Sequence, residues 1–428
     1  MDTIFALASA RGKSGVAIFR ISGPRAHDVA RAVGGNLPAP RHAALRALRT
    51  PEGEVLDRGL VLVFNRGASF TGEDVVEFMT HGSLATLLAV ERCLAEDHGL
   101  RLAEPGEFTR RALENGVMDL TQVEGLGDLL EAETESQRRQ ALRVMDGAIG
   151  AMVEGWRADL LKAAALVEVG IDFVEEDVGN FDAPILAALE RVMAALSREL
   201  TGQAGRERVQ HGFEIALVGS VNAGKSTLLN ALAGREAAIT SELAGTTRDV
   251  LEVRMDIGGY AVTILDTAGL RQTTGKIESI GIARGQKRAE QADFRIILCD
   301  GPGTPPPVEP TAEDIVTFSK ADVYEGVVAG VSGVTGAGLE WLLSSIKDRL
   351  ERRVAQDGVT VRRRHRQAML TAQAALGAAI EKLESAEYIP ELVAADIHEA
   401  TRALESLIGR IGVEDLLGDI FASFCIGK

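Results

Sequence analysis

The sequence contains little cysteine and no long apolar run, and each absence excludes a class of protein. Its 428 residues include three scattered cysteines, too few for a disulfide framework, which favours a reducing compartment. No segment has the length and unbroken apolarity of a membrane span, and the N-terminus lacks the basic-then-apolar run of a secretory signal. We therefore expect a cytoplasmic protein with no membrane association.

Basic residues are also scarce relative to acidic ones. The chain has 46 Lys and Arg against 62 Asp and Glu, a net charge of -16, which argues against indiscriminate nucleic-acid binding. Two local basic runs remain, Arg138–Arg139 with Arg143, and residues 362–366. Each is a candidate nucleic-acid face, although such runs are more often solvated helix faces.

Length and periodicity predict about three domains with real cores. Residues 1–115 mix short apolar stretches with one helical pattern, which indicates a small α+β domain. Residues 116–208 and 351–428 are helical in pattern and flank residues 209–350. The simplest packing is one helical bundle, in two parts, with the region 209–350 inserted as a separate domain.

Three helices are predicted within residues 116–208. Thr121–Glu124 reads as a capping box that opens one helix running to about Asp146. The next two helices show apolar stripes that indicate core rather than a cofactor site. Their members are Ile149, Met152, Trp156, Leu160 and Val167, then Leu186, Leu189, Met193, Leu196 and Leu200.

The inserted region opens with a phosphate-binding motif, G-x-x-x-x-G-K-S at Gly219–Ser226, after the apolar run 213–218. Its glycines let backbone N–H groups close around phosphates, Lys225 can reach the terminal phosphates, and Ser226 can ligate magnesium. The candidate nucleotide contacts here are Asn222, Ala223, Gly224, Lys225, Ser226 and Thr227.

Two further fragments follow in the order of a G domain. Gly245–Asp249 is a threonine-bearing segment at the distance of a switch loop, and Asp266–Gly269 ends the apolar strand 261–265. Asp266 would hold a magnesium water, and the N–H of Gly269 could reach the γ-phosphate. Besides these two, the candidate contacts are Thr246, Thr247, Thr267 and Ala268. The pattern predicts a Ras-like P-loop domain with a doubly wound, mostly parallel sheet.

The last two fragments, Ser319–Asp322 and Ser332–Val334, are altered versions of guanine-reading loops. The Asp322 carboxylate can accept both N1–H and the exocyclic amine of guanine, which favours GTP over ATP. Ser319 stands where such GTPases carry Asn, and the second loop lacks its usual lysine. We expect weaker guanine-nucleotide binding than at a consensus site. The candidate contacts are Ser319, Lys320, Ala321, Asp322, Ser332 and Gly333.

Another residue must orient the attacking water, because Leu270 follows Gly269 where Ras-type enzymes have glutamine. Glu278 lies within a loop's reach. An exposed glutamate in a switch loop is more often simply solvated, so the residues alone leave both interpretations open. The segment between Asp300 and Ile315 is too proline-rich for an ordinary crossover helix, and its length is near the minimum for joining two parallel strands.

The chain resembles the MnmE (TrmE) family of tRNA-modification GTPases essentially from end to end. The matching segments are Asp2–Ile4, Gly15–Gly23, Phe70–Asp74, Pro105–Thr109, Asp119–Glu124 and Phe424–Lys428. The resemblance implies a homodimer through the N-terminal domain. It also implies a folate pocket like that of aminomethyltransferases, where 5-formyl- or methylene-tetrahydrofolate supplies a one-carbon unit.

The resemblance also assigns residue roles. Arg20, Glu77 and Lys428 would contact folate, and Val117 stands where the family usually has lysine; taken alone, Arg20 and Glu77 could be an ordinary surface ion pair. Glu278 occupies the position of the water-orienting glutamate. Magnesium would be held by Ser226 and Thr247. Potassium, which replaces an arginine finger in the family, would be held by Asn222, Ser241, Thr246 and the carbonyl of Leu243.

In the family, a FAD- and NADH-dependent partner, MnmG (GidA), carries the redox chemistry at C5 of the wobble uridine of tRNA. Two alternatives remain from the sequence: a regulatory GTPase in ribosome assembly, and a GTPase-impaired scaffold that binds folate. Cys425 is open to three interpretations, as a reactive thiol, a metal ligand or a small buried residue.

Overall fold

The computed structural model describes residues 2–172, 181–220, 222–235, 252–266, 290–324, 330–354, 358–385 and 389–410, with Phe421, Phe424 and Gly427. The chain forms two compact units. The first comprises Met1–Gly127, Met145–Arg157 and Arg402–Lys428, and the second comprises Asp128–Val144 and Ala158–Thr401. The predicted domain boundaries at 115, 208 and 350 remain predictions.

A six-stranded sheet with the order β3-β4-β5-β2-β1-β6 forms the first unit's framework. All neighbours are antiparallel except β1 and β6. The strands are β1 (Ile4–Leu7), β2 (Ser14–Ser22), β3 (Ala44–Arg49), β4 (Val55–Phe64), β5 (Val75–Gly82) and β6 (Arg101–Leu102). The apolar stretches that predicted the small α+β domain, residues 16–21, 60–64 and 75–78, therefore lie in β2, β4 and β5.

One face of this sheet carries the main core of the unit. Alternate side chains such as Phe19 and Phe78 are fully buried there, since successive residues of a strand point to opposite faces. The helices of this part are α1 (Ala26–Gly34), α2 (Leu84–Arg92), which continues as a π-helix (Cys93–Asp97), and α3 (Glu107–Glu114). On the other face Phe108 of α3 packs with Ile4 and Ala6.

The helical part differs from its prediction at one point. The single helix expected from Thr121 to Asp146 is two helices, α4 (Leu120–Glu131) and α5 (Glu135–Met145), separated by residues 132–134. The Gln137 side chain accepts hydrogen bonds from the backbone N–H groups of Glu133 and Thr134, at 2.9 and 3.0 Å. This satisfies donors at the start of α5 and ends the preceding helix.

The first cap is also two residues earlier than predicted. Asp119 Oδ1 accepts from the N–H of Gln122, and the Gln122 side chain accepts from the N–H of Asp119, both at 2.9 Å. The reciprocal pair is a capping box, with Asp119 in place of Thr121 as the cap. Two long helices follow, α6 (Ala148–Asp172) and α7 (Asp182–His211). Their predicted stripes are core at Ile149, Trp156, Leu160, Val167, Leu189 and Leu196, while Met152, Leu186, Met193 and Leu200 are partly buried.

A five-stranded sheet with the order β11-β10-β7-β9-β8 lies in the second unit. Only the β8–β9 pair is antiparallel, as expected for a doubly wound, mostly parallel P-loop sheet. The elements are β7 (Phe213–Gly219), α8 (Lys225–Arg235), β8 (Glu252–Ile257), β9 (Tyr260–Asp266), β10 (Phe294–Cys299), β11 (Ile315–Phe318) and α9 (Leu339–Val354). Both faces carry buried aliphatic side chains.

The connection between β10 and β11 contains no helix, as its prolines predicted. Asp314 fixes its end: the carboxylate accepts from Arg295 Nη2 at 2.6 Å and from the Thr311 N–H at 2.8 Å. Burial alone would raise the pKa of Asp314, but the hydrogen bonds from Arg295 and Thr311 outweigh it and lower the pKa to about 2.

The two chain segments that connect the inserted sheet domain to the helical part lie close together. α10 (Arg363–Leu383) packs against α7, and α11 (Pro390–Glu405) follows it. Arg208 near the end of α7 and Arg353 at the end of α9 both pair with Asp293, at 3.0 and 4.0 Å. Asp293 therefore joins the incoming and the outgoing segment of the inserted domain. Among the described residues, no helix combines the length and apolarity that crossing a membrane requires.

Candidate functional site

The phosphate-binding loop lies between β7 and α8. Lys225, 5% exposed, donates from Nζ to the carbonyl oxygens of Gly219 and Ser220, at 2.8 and 2.7 Å. This holds the ammonium group across the loop, next to the N-terminus of α8. Since a helix N-terminus and a lysine both favour negative charge, the arrangement suits a polyphosphate.

Asn222 gives the loop its tight curvature. Its φ of 64° is in the left-handed region, which few residues other than glycine and asparagine adopt. The Asn222 side chain is exposed, as are Ser226 and Thr227, whereas Ala223 is buried. The predicted nucleotide contacts of the first fragment thus lie together on one loop and the first turn of one helix.

A pair of oxygen ligands lies beside this loop. Ser226 Oγ donates to Oδ2 of Asp266 at 3.0 Å, and Asp266 is fully buried at the end of β9. Hydroxyl and carboxylate oxygens are the donors that Mg²⁺ prefers, and Mg²⁺ usually takes only one or two protein ligands plus substrate phosphates. The two residues present therefore fit the expected magnesium site.

The two segments predicted to read guanine lie side by side. The N–H of Ala321 donates to the Val331 carbonyl at 3.2 Å, and Ser332 Oγ accepts from the N–H groups of Val334 and Thr335. The Asp322 side chain is exposed. Lys320 has a left-handed φ of 59°, so its backbone turns sharply between Ser319 and Asp322.

Ser319 and Gly333 lie where these two segments approach the phosphate loop and α8. Ser319 is 5% exposed, and its Oγ has no hydrogen-bond partner among the described residues. A Cβ added to Gly333 would lie 2.8 Å from the carbonyl group of Thr227. The second guanine loop therefore rests directly on the backbone of α8, and only glycine permits that approach.

The remaining predicted G-domain residues lie outside the described residues. They are the catalytic candidate Glu278, the switch-loop ligands Ser241, Leu243, Thr246 and Thr247, and the segment Thr267, Ala268 and Gly269. Lys428 and Cys425 lie outside them as well.

The folate candidates Arg20 and Glu77 are directly opposite each other on β2 and β5. Arg20 Nε and Nη2 both approach Oε1 of Glu77, at 2.9 and 2.8 Å, and the side chains are 17% and 13% exposed. The pair lines a cavity of about 620 Å³. Arg20 also donates to the carbonyl of Gly427 at 3.2 Å, so the C-terminal end of the chain reaches this cavity.

Sequence reasoning did not assign four of the lining residues, Arg41, Phe64, Ala68 and Phe70, to a site. The guanidinium of Arg41 lies 5.6 Å from the ring centre of Phe64 and donates to the Ala68 carbonyl at 2.7 Å. The ring of Phe70 faces Arg20 at 5.5 Å. The cavity thus combines aromatic faces with two cations and one carboxylate. Its size and lining suit a flat, polar-edged ring with an anionic tail.

Val117 is placed differently from Arg20 and Glu77. It is 43% exposed, and its N–H donates to the Ala112 carbonyl at 2.8 Å. A Cβ on Gly72 would lie 2.9 Å from Val117 Cγ2, so Val117 packs beside the Gly72 turn. The residues that line the described cavity do not include it.

Comparison with known proteins places the chain in a family. The model of the MnmE helical domain matches residues 120–425, and the model of the GTP-binding protein TrmE N-terminus matches residues 3–117. Proteins named tRNA modification GTPase MnmE match over the whole of both chains, at 55% identity in Cereibacter sphaeroides and 54% in Ruegeria pomeroyi.

A solved structure, the G domain of the T. maritima FeoB iron transporter, covers 32% of this chain and 98% of its own. Its identity is 24% and its TM-score is 0.22, which is too low to support a conclusion about this chain. The two family models and the full-length relatives are sufficient by themselves. The chain belongs to the MnmE (TrmE) family, whose curated members are tRNA modification GTPases.

Proposed function

We propose that this protein is a potassium-dependent GTPase that acts with a FAD-dependent partner of the MnmG (GidA) family. Together they would install a (carboxymethyl)aminomethyl group at C5 of the wobble uridine of tRNAs, with a tetrahydrofolate derivative as one-carbon donor. The observation that carries the GTPase part is the convergence of Lys225, Ser226 and Asp266 at the end of a P-loop sheet. Family membership carries the tRNA part.

Each of these residues has a separate role in the proposed hydrolysis of GTP. Lys225 and the N-terminus of α8 attract the β- and γ-phosphates, Ser226 and Thr247 would hold Mg²⁺, and Asp266 would hold one of its waters. A bound potassium ion would stabilise the charge that develops on the phosphates. Asn222 offers an exposed amide oxygen at the loop, the donor type that such an ion takes. Glu278 is proposed to orient water.

The folate proposal is supported by the cavity at Arg20 and Glu77. Oε1 of Glu77 is bound by Arg20, which orients the carboxylate to accept N–H groups of a ring system through its remaining oxygen. Arg41 supplies a second cation at the cavity wall for a carboxylate tail. We also propose a homodimer through the N-terminal domain, for which the mass of the full chain by light scattering is the direct test.

The decisive experiment compares GTP hydrolysis in potassium and in sodium buffer, with ATP as a control nucleotide. Potassium-stimulated, GTP-selective turnover that is lost in Glu278→Ala would support the mechanism. Glu290→Ala is the matched control, because Glu290 is an exposed glutamate shortly before β10, and Lys225→Ala reports independently on nucleotide binding. Turnover equal in both salts would remove the potassium proposal, and no turnover in either would favour the folate-binding scaffold.

Folate binding is tested separately by calorimetry with 5-formyl-tetrahydrofolate. Glu77→Gln removes the charge of the carboxylate at nearly constant shape and should weaken binding. Arg46→Gln is the matched control, because Arg46 is an arginine of the same sheet that donates to backbone carbonyls away from the cavity. Equal affinities of the parent, Glu77→Gln and Arg46→Gln would contradict the assignment of this cavity.

A further inference from the structure

One face of α5 lines a second cavity, in the other unit of the chain. Ser136, Arg139, Gln140 and Arg143 contribute to its wall. Their spacing of three, four and seven residues places them on one side of the helix. The cavity has a volume of about 450 Å³, which is large enough for a phosphate group with part of its sugar.

The opposite walls come from three other parts of the same unit. They are Arg206 and Val209 of α7, Tyr260 at the start of β9, and Val354 at the end of α9 with Gly358 and Val359 beyond it. A Cβ at position 358 would lie 2.2 Å from Arg206 Nη1. Glycine therefore lets the backbone pass directly over the guanidinium, and no side chain from this position fills the cavity.

Two of the arginines that line the cavity are paired with carboxylates. Glu135 is shared by Arg138 and Arg139, at 2.7 Å each. Arg206 is paired with Glu199 at 3.2 Å. Burial lowers the pKa of Arg206, and the positive charge of Arg143 lowers it further, against the opposing effect of Glu199.

Arg143 differs from these paired arginines. Its side chain is exposed, and no carboxylate lies within ion-pair distance of it among the described residues. It faces a cavity shared with two other arginines. Burial and the negative charge of Glu351 raise the pKa of Tyr260, whose side chain is hydrogen-bonded to Ser136 of α5 across the cavity. Clustered guanidinium groups repel one another unless an anion lies between them.

The second basic run of the sequence also lies beside α7. Gln203, one helical turn before Arg206, donates to the Arg362 carbonyl at 2.8 Å. Arg362 precedes the first turn of α10, where Arg363 and Arg366 lie. The two basic runs of the sequence, which are far apart along the chain, are therefore on adjoining segments of one unit.

We propose that the cavity formed by α5, α7, Val354, Gly358 and Val359 binds a backbone phosphate of the tRNA substrate, with Arg139 and Arg143 as its ligands. The inference rests on the tRNA role proposed above. Guanidinium groups bind phosphate through two parallel N–H donors, and the arginines of one helix face can do so without reading the base sequence.

The position of this cavity links it to the GTPase domain. The N–H of Ser136 donates to the Gly259 carbonyl at 3.1 Å, and Arg254 pairs with Glu133 at 2.7 Å. Both contacts join the start of α5 to the hairpin β8–β9, whose second strand ends at Asp266. The hairpin β8–β9 would thus connect a phosphate held by α5 to Asp266 at the nucleotide-binding site.

The test measures tRNA affinity by fluorescence anisotropy at several potassium chloride concentrations. Arg139→Gln and Arg143→Gln should each weaken binding several-fold, and each should lower the slope of log Kd against log salt by about one. Arg143→Lys should retain part of the affinity, because it keeps the charge. Arg191→Gln is the matched control, an exposed helix arginine on α7 paired with Asp159 at 3.4 Å.

GTP hydrolysis without tRNA, measured on the same samples, separates the two proposals. Unchanged turnover with weaker, less salt-dependent tRNA binding supports the site. If Arg139→Gln and Arg143→Gln bind tRNA as Arg191→Gln does while the parent hydrolyses GTP, the site is wrong and the proposed function stands. If the parent does not bind tRNA at low salt, the phosphate site is wrong. If the parent also fails to hydrolyse GTP, the proposed function is wrong as well.

Discussion

The buried hydroxyl of Ser319 makes a quantitative prediction about nucleotide affinity. Ser319 Oγ has no partner among the described residues, and a Cβ on Gly224 of the phosphate loop would be 4.0 Å from it. The longer amide of Ser319→Asn can reach the phosphate loop and tie the two loops together. One net hydrogen bond contributes about 0.5–1.5 kcal/mol, which corresponds to roughly two- to tenfold tighter binding of GDP and GTP.

Ser319→Ala is the matched control. It removes a hydroxyl that makes no hydrogen bond among the described residues, so the affinity for guanine nucleotides should stay nearly unchanged. Both variants are measured by titration with a fluorescent guanine nucleotide, with melting temperatures to confirm folding. A large loss of affinity in Ser319→Ala would refute the reasoning, since it would show that the hydroxyl already has a functional partner. So would Ser319→Asn binding no tighter than the parent.

Three further outcomes are expected. Asp322→Asn should weaken GTP binding about a hundredfold, because two charge-assisted hydrogen bonds of about 1.5–3 kcal/mol each are impaired, and it should favour xanthosine triphosphate in a competition assay; unchanged base preference would contradict the role of Asp322. Gly333→Ala should weaken GTP binding about tenfold, since overpacking against the α8 backbone costs about 1–3 kcal/mol, and equal affinity would show that the loop moves freely. Asp314 has a pKa of about 2, below its ordinary 3.8, so its ionised form contributes about 2 kcal/mol to the free energy of unfolding above pH 4, and this contribution is lost as the pH falls toward 2. The difference in urea midpoint between the parent and Asp314→Asn should therefore shrink between pH 6 and pH 3. A difference that stays constant would contradict this.

Local patterns predicted most of the fold that positions the site. The strand before the phosphate loop, β7, and the strand that ends at Asp266, β9, were both predicted from apolar runs. The absence of a helix between β10 and β11 followed from proline content. These predictions succeeded because their causes, burial of alternate or continuous apolar residues and the missing N–H of proline, act within a few residues.

The break between α4 and α5 was not predictable in this way. It depends on Gln137, whose Oε1 caps the start of α5 while its Nε2 donates to the Gln210 carbonyl at 3.0 Å. That second contact joins residues far apart in sequence, which helical periodicity does not report. Periodicity alone therefore predicted one continuous helix. Arg41 was missed for a similar reason, because a lone loop arginine gains its role only from Phe64 and Ala68.

The Asp293 junction has a consequence for how the chain folds. Loop-closure entropy rises with the length of flexible chain between two contacting segments, and α7 and α10 are separated by the whole inserted sheet. Arg208 and Arg353 bind the same carboxylate, so the folded insert presents its two ends side by side. An insert that folds first therefore acts as a short, rigid turn, and the two helices can then meet at little more entropic cost than a hairpin of helices.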